Sequence, residues 1–187
     1  MDADFSIELG RDDPVLDLPW TDPTGKVAYV DLKRQPDLIA QIEEGRAFPE
    51  LGRFLQATNS PRSIVETAKC DAWATTELSA EEEIHDASHK FASYTDLVFS
   101  ALDNRLSFSF HEEFARKLVE LLRRAPEMAA STEVCVRRCY SEDNDNVREG
   151  FYFTVYVNGY GQAGSRARQN WAAGLNLIAD AVEQLSS

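Results

Sequence analysis

Residues Thr132 to Tyr140 read TEVCVRRCY, and residues Phe151 to Asn158 read FYFTVYVN. In the second stretch Phe151, Phe153, Val155 and Val157 fall on one side of an extended chain, and Tyr152, Thr154 and Tyr156 fall on the other. Both stretches have the β-branched and aromatic character of strands, and the polar run between them, Ser141 to Gly150, suits a turn. The pair therefore predicts an antiparallel hairpin.

From about Arg166 to Leu185 the residues Trp171, Leu175, Ile178, Val182 and Leu185 recur at steps of four, three, four and three, which places them along one side of a long helix that must lie on something apolar. A second helix precedes the hairpin. Ser109 and Glu112 form an S-x-x-E capping box, Phe114, Leu118, Leu121 and Leu122 make an apolar stripe, and Arg123, Arg124 and Pro126 close it.

Toward the N-terminus, residues 11–25 carry Pro14, Pro19 and Pro23 among aspartates and predict an irregular or extended arm, with a short strand at Phe5 to Leu9 before it. Lys26 to Leu32 reads as a strand. Short helices are expected after Pro36 and after Pro49, the second stopping before Asn59-Ser60-Pro61. Ser63 to Glu77 is strand-like with imperfect alternation, which suggests a bulge. Ser79 to Ser88 suits a helical turn, Phe91 to Phe99 a strand, and Leu106, Phe108 and Phe110 a half-buried edge. The fold class expected is α+β, a mostly antiparallel sheet with helices on one face and a long C-terminal helix. Strand–helix–strand–strand at 26–99 and again from 105 suggests two βαββ units, a pseudo-repeat of 26–99 and 105–187, sharing one sheet within a single domain spanning 1–187.

With 187 residues, 43% hydrophobic and 10% aromatic, the chain can bury a core and is not disordered. Its formal charge of −13 excludes the electrostatic footprint of nucleic-acid binding and does not draw it to an anionic membrane. Residues 1–100 hold 20 Asp/Glu and 9 Lys/Arg, whereas residues 101–187 hold 12 and 10, so the first half carries the field. No signal peptide opens the sequence and no apolar run is long enough for a membrane helix, so a cytoplasmic location is expected. Three cysteines without a leader read as reduced thiols. On one strand, Cys135 and Cys139 would lie about 13 Å apart, too far to bridge.

Four signals bear on chemistry. Gly159-Tyr160-Gly161-Gln162-Ala163-Gly164 matches G-x-G-x-x-G between a strand and a helix, but the chain ends before the second parallel strand that a dinucleotide site needs. What remains is an anion-binding reading of Gly159 and Gly161 with Ser165 as N-cap and Arg166 and Arg168 beside it. His85 and His89 stand at i and i+4, the spacing of a metal pair, without a third ligand. Glu142 to Asn146 lacks the glycine and terminal glutamate of a calcium loop. In Cys70-Asp71-Ala72-Trp73, Asp71 and Trp73 share a strand face as a surface or pocket platform, and catalysis through Cys70 would need a base such as His85 or His89 beside it. There is no nucleophile elbow, Walker loop or zinc-finger spacing.

These readings favour a non-enzymatic protein-interaction or regulatory module that binds a protein partner through its acidic first half, with no cofactor and no metal. The alternative is a small-molecule, anionic-ligand protein or enzyme with a pocket between sheet and helices. Strand order is not readable from the sequence, so a homodimer through an open sheet edge stays in view.

Overall fold

A computed structural model describes residues 1–79, 82, 86–143 and 146–187. Strand β1 (Asp2–Glu8) opens the chain and β2 (Val15–Leu18) lies within the arm; a 3-10 turn (Pro36–Gln41) and helices α1 (Glu43–Ala47) and α2 (Pro49–Thr58) follow. Next come β3 (Val65–Thr75), β4 (His89–Phe99), α3 (Leu102–Arg105), α4 (Phe108–Arg123), β5 (Ala130–Asp143), β6 (Asn146–Gly161) and α5 (Gly164–Leu185). The strands form one six-stranded sheet in the order β1-β5-β6-β4-β3, and β2 continues the β1 edge alongside β5. Pairing is antiparallel except where β1 and β2 run parallel to β5. Among the described residues no helix is long and apolar enough to cross a membrane.

The hairpin forms as its alternation predicts, with Val134 opposite Val155 and Val136 opposite Phe153. These residues, with Leu97 and Phe99 of β4, face the helices and are buried against α2, α4 and α5. Trp171 of α5 is at the centre. It is fully buried, its indole donates to Ser93 Oγ at 2.8 Å, and its ring lies 4.5 Å from that of Phe91. Space for it exists because β6 carries glycine beneath the helix. A Cβ on Gly159 would sit 2.1 Å from the Trp171 backbone nitrogen and 2.3 Å from the Ala167 carbonyl oxygen.

Two expected strands are absent. Lys26 to Leu32 is not in the sheet: it makes a single bridge, Ala28 with Thr21, inside the arm, where Tyr29 N–H donates to the Trp20 carbonyl. Leu106 to Phe110 instead closes α3 and opens α4: Leu106 is the C-cap of α3, and Ser107 caps α4, its hydroxyl accepting from Phe110 N–H; it is not the expected cap, Ser109. Three alternating apolar residues also fit the turns around a helix start, and Phe110 is placed so that Phe99 can pack on it at 4.8 Å. The element order is therefore ββα twice, β3-β4-α4 and β5-β6-α5, and not βαββ. The bulge expected in the Ser63 to Glu77 strand falls at Ala68, between Thr67 and Lys69. Only part of the expected Ser79 to Ser88 turn lies within the described residues.

Among the described residues the sheet's other face carries no long helix, only the turn of α3 at its end. Leu16 and Leu18 of β2 cover its lower end with Ala68, Val98, Cys139 and Tyr152, and Trp20 and Tyr29 of the arm pack on that cluster. The arm is pinned there by the Trp20 indole, which donates to the carbonyl of Ala68, the bulged residue.

Two consequences are measurable. Gly159→Ala should destabilise the protein by about 3 kcal/mol in urea unfolding, because only backbone movement of α5 can accommodate the methyl, whereas Gly164→Ala, whose Cβ meets nothing closer than 3.7 Å, should not. His111 is fully buried against Phe99 and Phe153, with Nδ1 on the Ser107 carbonyl, and burial lowers its pKa to about 4. The unfolded imidazole takes a proton first, near the usual value of about 6.5, so His111 costs stability progressively as pH falls from there to about 4 and no further below. His111→Phe should remove that acid-side loss.

Candidate functional site

Alternate residues of the strands project onto the helix-free face, and there the side chains are polar and aromatic. Asp96 of β4 is central. It is 6% exposed, and its Oδ1 accepts from Thr154 Oγ1 at 2.7 Å. Arg137 donates from Nη1 to Thr154 Oγ1 at 2.8 Å and to the Tyr156 hydroxyl at 3.1 Å, and from Nε to Glu8 Oε2 at 2.7 Å. A continuous chain of charge-assisted bonds thus runs from Glu8 on the β1 edge to Asp96. Burial pushes the Asp96 carboxyl up to about 6, against the lowering effects of Thr154, Lys69 and Arg137. Tyr94 and Tyr156 flank it across the strands, and burial with nearby Asp96 and Asp71 raises the Tyr94 phenol, which stays protonated.

Beside this network lies a groove of ≈ 1050 Å³, bounded by the arm, by residues 41–44 at the start of α1, and by β3 from Thr67 to Asp71. Lys69 lies between two rings there, 5.6 Å from Trp20 and 5.8 Å from Tyr94. Asp17, Asp22, Glu43, Glu44 and Asp71 line the groove against Lys26 and Lys69, so acids outnumber bases five to two. Val15 and Val27, also in its wall, are exposed large apolar side chains.

Asp71 and Trp73 share one face of β3, the helix-free one, and Trp73 is 40% exposed. Cys70 points the other way, toward the helices. Burial, with Glu44, Asp71 and Asp96 nearby, raises its thiol to about 12, the opposite of what a nucleophile needs. His89 begins β4 opposite Gly161, six residues from Thr95, the partner of Cys70, a separation of about 20 Å along the strand. Its Nδ1 lies 3.1 Å from Ser88 Oγ. His85 lies outside the described residues, as do Asn144 and Asp145 of the calcium-loop reading. Among the described residues no three His, Cys, Asp or Glu side chains gather as a metal site.

The 159–164 turn places its glycines under α5: Cβ atoms at Gly159 and Gly161 would meet Trp171, Ala167 and Arg166. The N-cap of α5 is Ala163, not Ser165, which is exposed within the first turn. Arg166 is exposed, while Arg168 is held by Glu50 at 2.7 Å and covers Phe48 and Phe91. The space between sheet and helices is filled by the apolar core.

Sequence reasoning missed Asp96 and the bond through Thr154 that ties it to Arg137, an arginine that the sequence offered only as one of several for a small anion. A signal was present: a carboxylate within the otherwise apolar stretch Phe91 to Phe99 is a costly burial and asks for partners. Comparison with protein-family models, with curated proteins and with solved structures found no match.

Two measurements test these environments. An Asp whose folded pKa is raised binds protons more readily than the unfolded chain, so Asp96 costs stability at neutral pH and returns it as pH falls from about 6 toward 4. Asp96→Asn should therefore gain about 1–2 kcal/mol in urea unfolding near neutral pH, shrinking to nothing near pH 4. The thiols of Cys70, Cys135 and Cys139, raised by burial to about 12, 11 and 11, should resist alkylation at mildly alkaline pH until the protein unfolds.

Proposed function

We propose that this chain is a non-enzymatic protein-interaction module that takes an extended, basic segment of a partner protein into the groove between the arm and β3. The observation that carries this reading is the lining of that groove: five carboxylates against two lysines, with Val15 and Val27 open beside them. An acidic wall favours Lys and Arg by long-range attraction, and exposed valines at the rim give alternate apolar side chains of an extended segment a place to lie. The volume, ≈ 1050 Å³, lies just above the usual small-molecule range of about 300–1,000 Å³ and suits several residues of peptide. The placement also explains the uneven charge of the sequence, because every acid in the groove belongs to residues 1–100. A catalytic reading has less support: Cys70 is raised away from its thiolate, and His89 stands at the far end of β4 from it.

Peptides alternating Lys with Val should bind in fluorescence anisotropy, with association slowing steeply as salt rises, while matched Glu–Val peptides should not bind. The double variant Glu43→Lys/Glu44→Lys should weaken the Lys–Val peptide by about tenfold. Equal binding of acidic and basic peptides, or an association rate indifferent to salt, would sink this reading.

A further inference from the structure

A second cavity on the helix-free face, of ≈ 500 Å³, lies where the arm crosses the end of the sheet beside α3. Its floor is an ion pair almost out of water. Glu66 Oε1 accepts from Arg105 Nη2 at 3.2 Å and from the Tyr29 hydroxyl at 3.3 Å, the Glu66 and Arg105 side chains are each 16% exposed, and Arg105 Nε also donates to the Phe99 carbonyl at 2.9 Å. Burial, with Glu66 and Asp31 close by, raises the Tyr29 phenol, so it stays a donor.

Two serines in the same wall are unlike the rest. The hydroxyl oxygens of Ser100 and Ser141 are buried and have no partner at hydrogen-bond geometry, and both residues line the cavity. Ser141, 2% exposed, does abut the Cys139 thiol, but a thiol is a weak hydrogen-bonding group and leaves the oxygen's capacity open. Buried hydroxyls are satisfied in nearly all proteins, so two orphans on residues that line one small cavity ask for a partner, which rotation about Cα–Cβ would bring within their reach.

The charges indicate what kind. Glu66 is paired with Arg105, and Arg34, its side chain 87% exposed, lies 3.6 Å from Asp31. An anion would meet three carboxylates, Asp31, Glu66 and Glu142, against these two guanidinium groups, a balance that disfavours it. What stays open is uncharged hydrogen-bonding capacity, donor and acceptor together, beside the apolar surfaces of Leu18, Val98 and Leu102. Hydroxyl groups on a carbon skeleton match both parts. We propose that this cavity binds a neutral polyhydroxylated molecule, a sugar or polyol of one or two rings, through the Ser100 and Ser141 hydroxyls and the Glu66–Arg105 pair.

The test is isothermal titration calorimetry of the full chain with D-glucose, D-ribose, myo-inositol and sucrose, and with glycine and inorganic phosphate for comparison. Excluded sugars stabilise proteins without saturating, so saturable heat and not a melting shift is the readout. At least one neutral polyol should saturate, and Ser141→Ala should weaken it about tenfold. The unliganded Ser141→Ala protein should be as stable as the parent or more so, since an unsatisfied buried hydroxyl is removed; if that variant does not fold, Ser100→Ala serves in its place. Glu43→Lys/Glu44→Lys, which alters the peptide groove, should leave polyol binding intact, so the two sites succeed or fail separately. Saturation only by phosphate or glycine, no saturable heat from any polyol, or unchanged binding by both serine variants overturns the proposal.

Discussion

The close approach of α5 to β6 governs the rest of the architecture. With a glycine hydrogen where a Cβ would stand 2.1 Å from the Trp171 nitrogen, the helix backbone rests directly on the strand. Trp171 then reaches past β6 to Ser93 and Phe91 of β4, and α2 is drawn in beside it through Phe48 on Trp171 and Glu50 on Arg168. One face of the sheet is consumed by this packing. Because side chains alternate along each strand, the same contact turns Tyr94, Asp96, Thr154 and Tyr156 to the opposite face. Position of the chemistry is thus a consequence of helix packing thirty residues or less from the C-terminus, far in sequence from the arm that completes the site.

That opposite face is costly. A carboxylate 6% exposed, with its pKa raised to about 6, is stability given up at neutral pH, and a second ion pair at Glu66 and Arg105 also sits largely out of water. An apolar covering would have served stability better. Departures from the stable choice concentrate at functional sites, and here the departures and the smaller cavity occupy the helix-free side, from which the groove runs around the β3 edge to Ile42, Leu55 and Cys70.

The sequence was most legible where periodicity runs long. The period-two pattern of Phe151 to Val157 and the heptad-like spacing from Trp171 to Leu185 each have five or so residues in agreement, and both became the elements expected. Leu106, Phe108 and Phe110 offered only three, and three positions fit a helical turn as well as a strand; Ser107 decided between them by accepting from Phe110. Lys26 to Leu32 has strand propensity but joins neither edge of the sheet; its one bridge is Ala28 with Thr21, within the arm. The glycines of 159–164 were read as a motif, although their reason is tertiary: the helix they admit follows them in sequence and folds back over them. That Asp71 and Trp73 share a face was legible because it needs only alternation. Asp96 was not, because its partners, Thr154 and Arg137, come from strands far along the chain.

Residues 19–32 belong to both candidate sites. Tyr29 lines the groove and the smaller cavity alike, as does Pro19, and Tyr29 is tied to the cavity floor through Glu66 and to Trp20 through its own backbone N–H. Trp20 in turn holds the bulge carbonyl of Ala68 and faces Lys69 across the groove. Few contacts anchor this stretch compared with the strands: its one bridge is Thr21 with Ala28, and Asp22 stabilises the turn between them by accepting from Thr24 and Val27. Under the two proposals above, a ligand that fixes Tyr29 from the cavity side would leave less freedom to be lost when a partner segment enters the groove. By linkage, the reverse effect has the same magnitude.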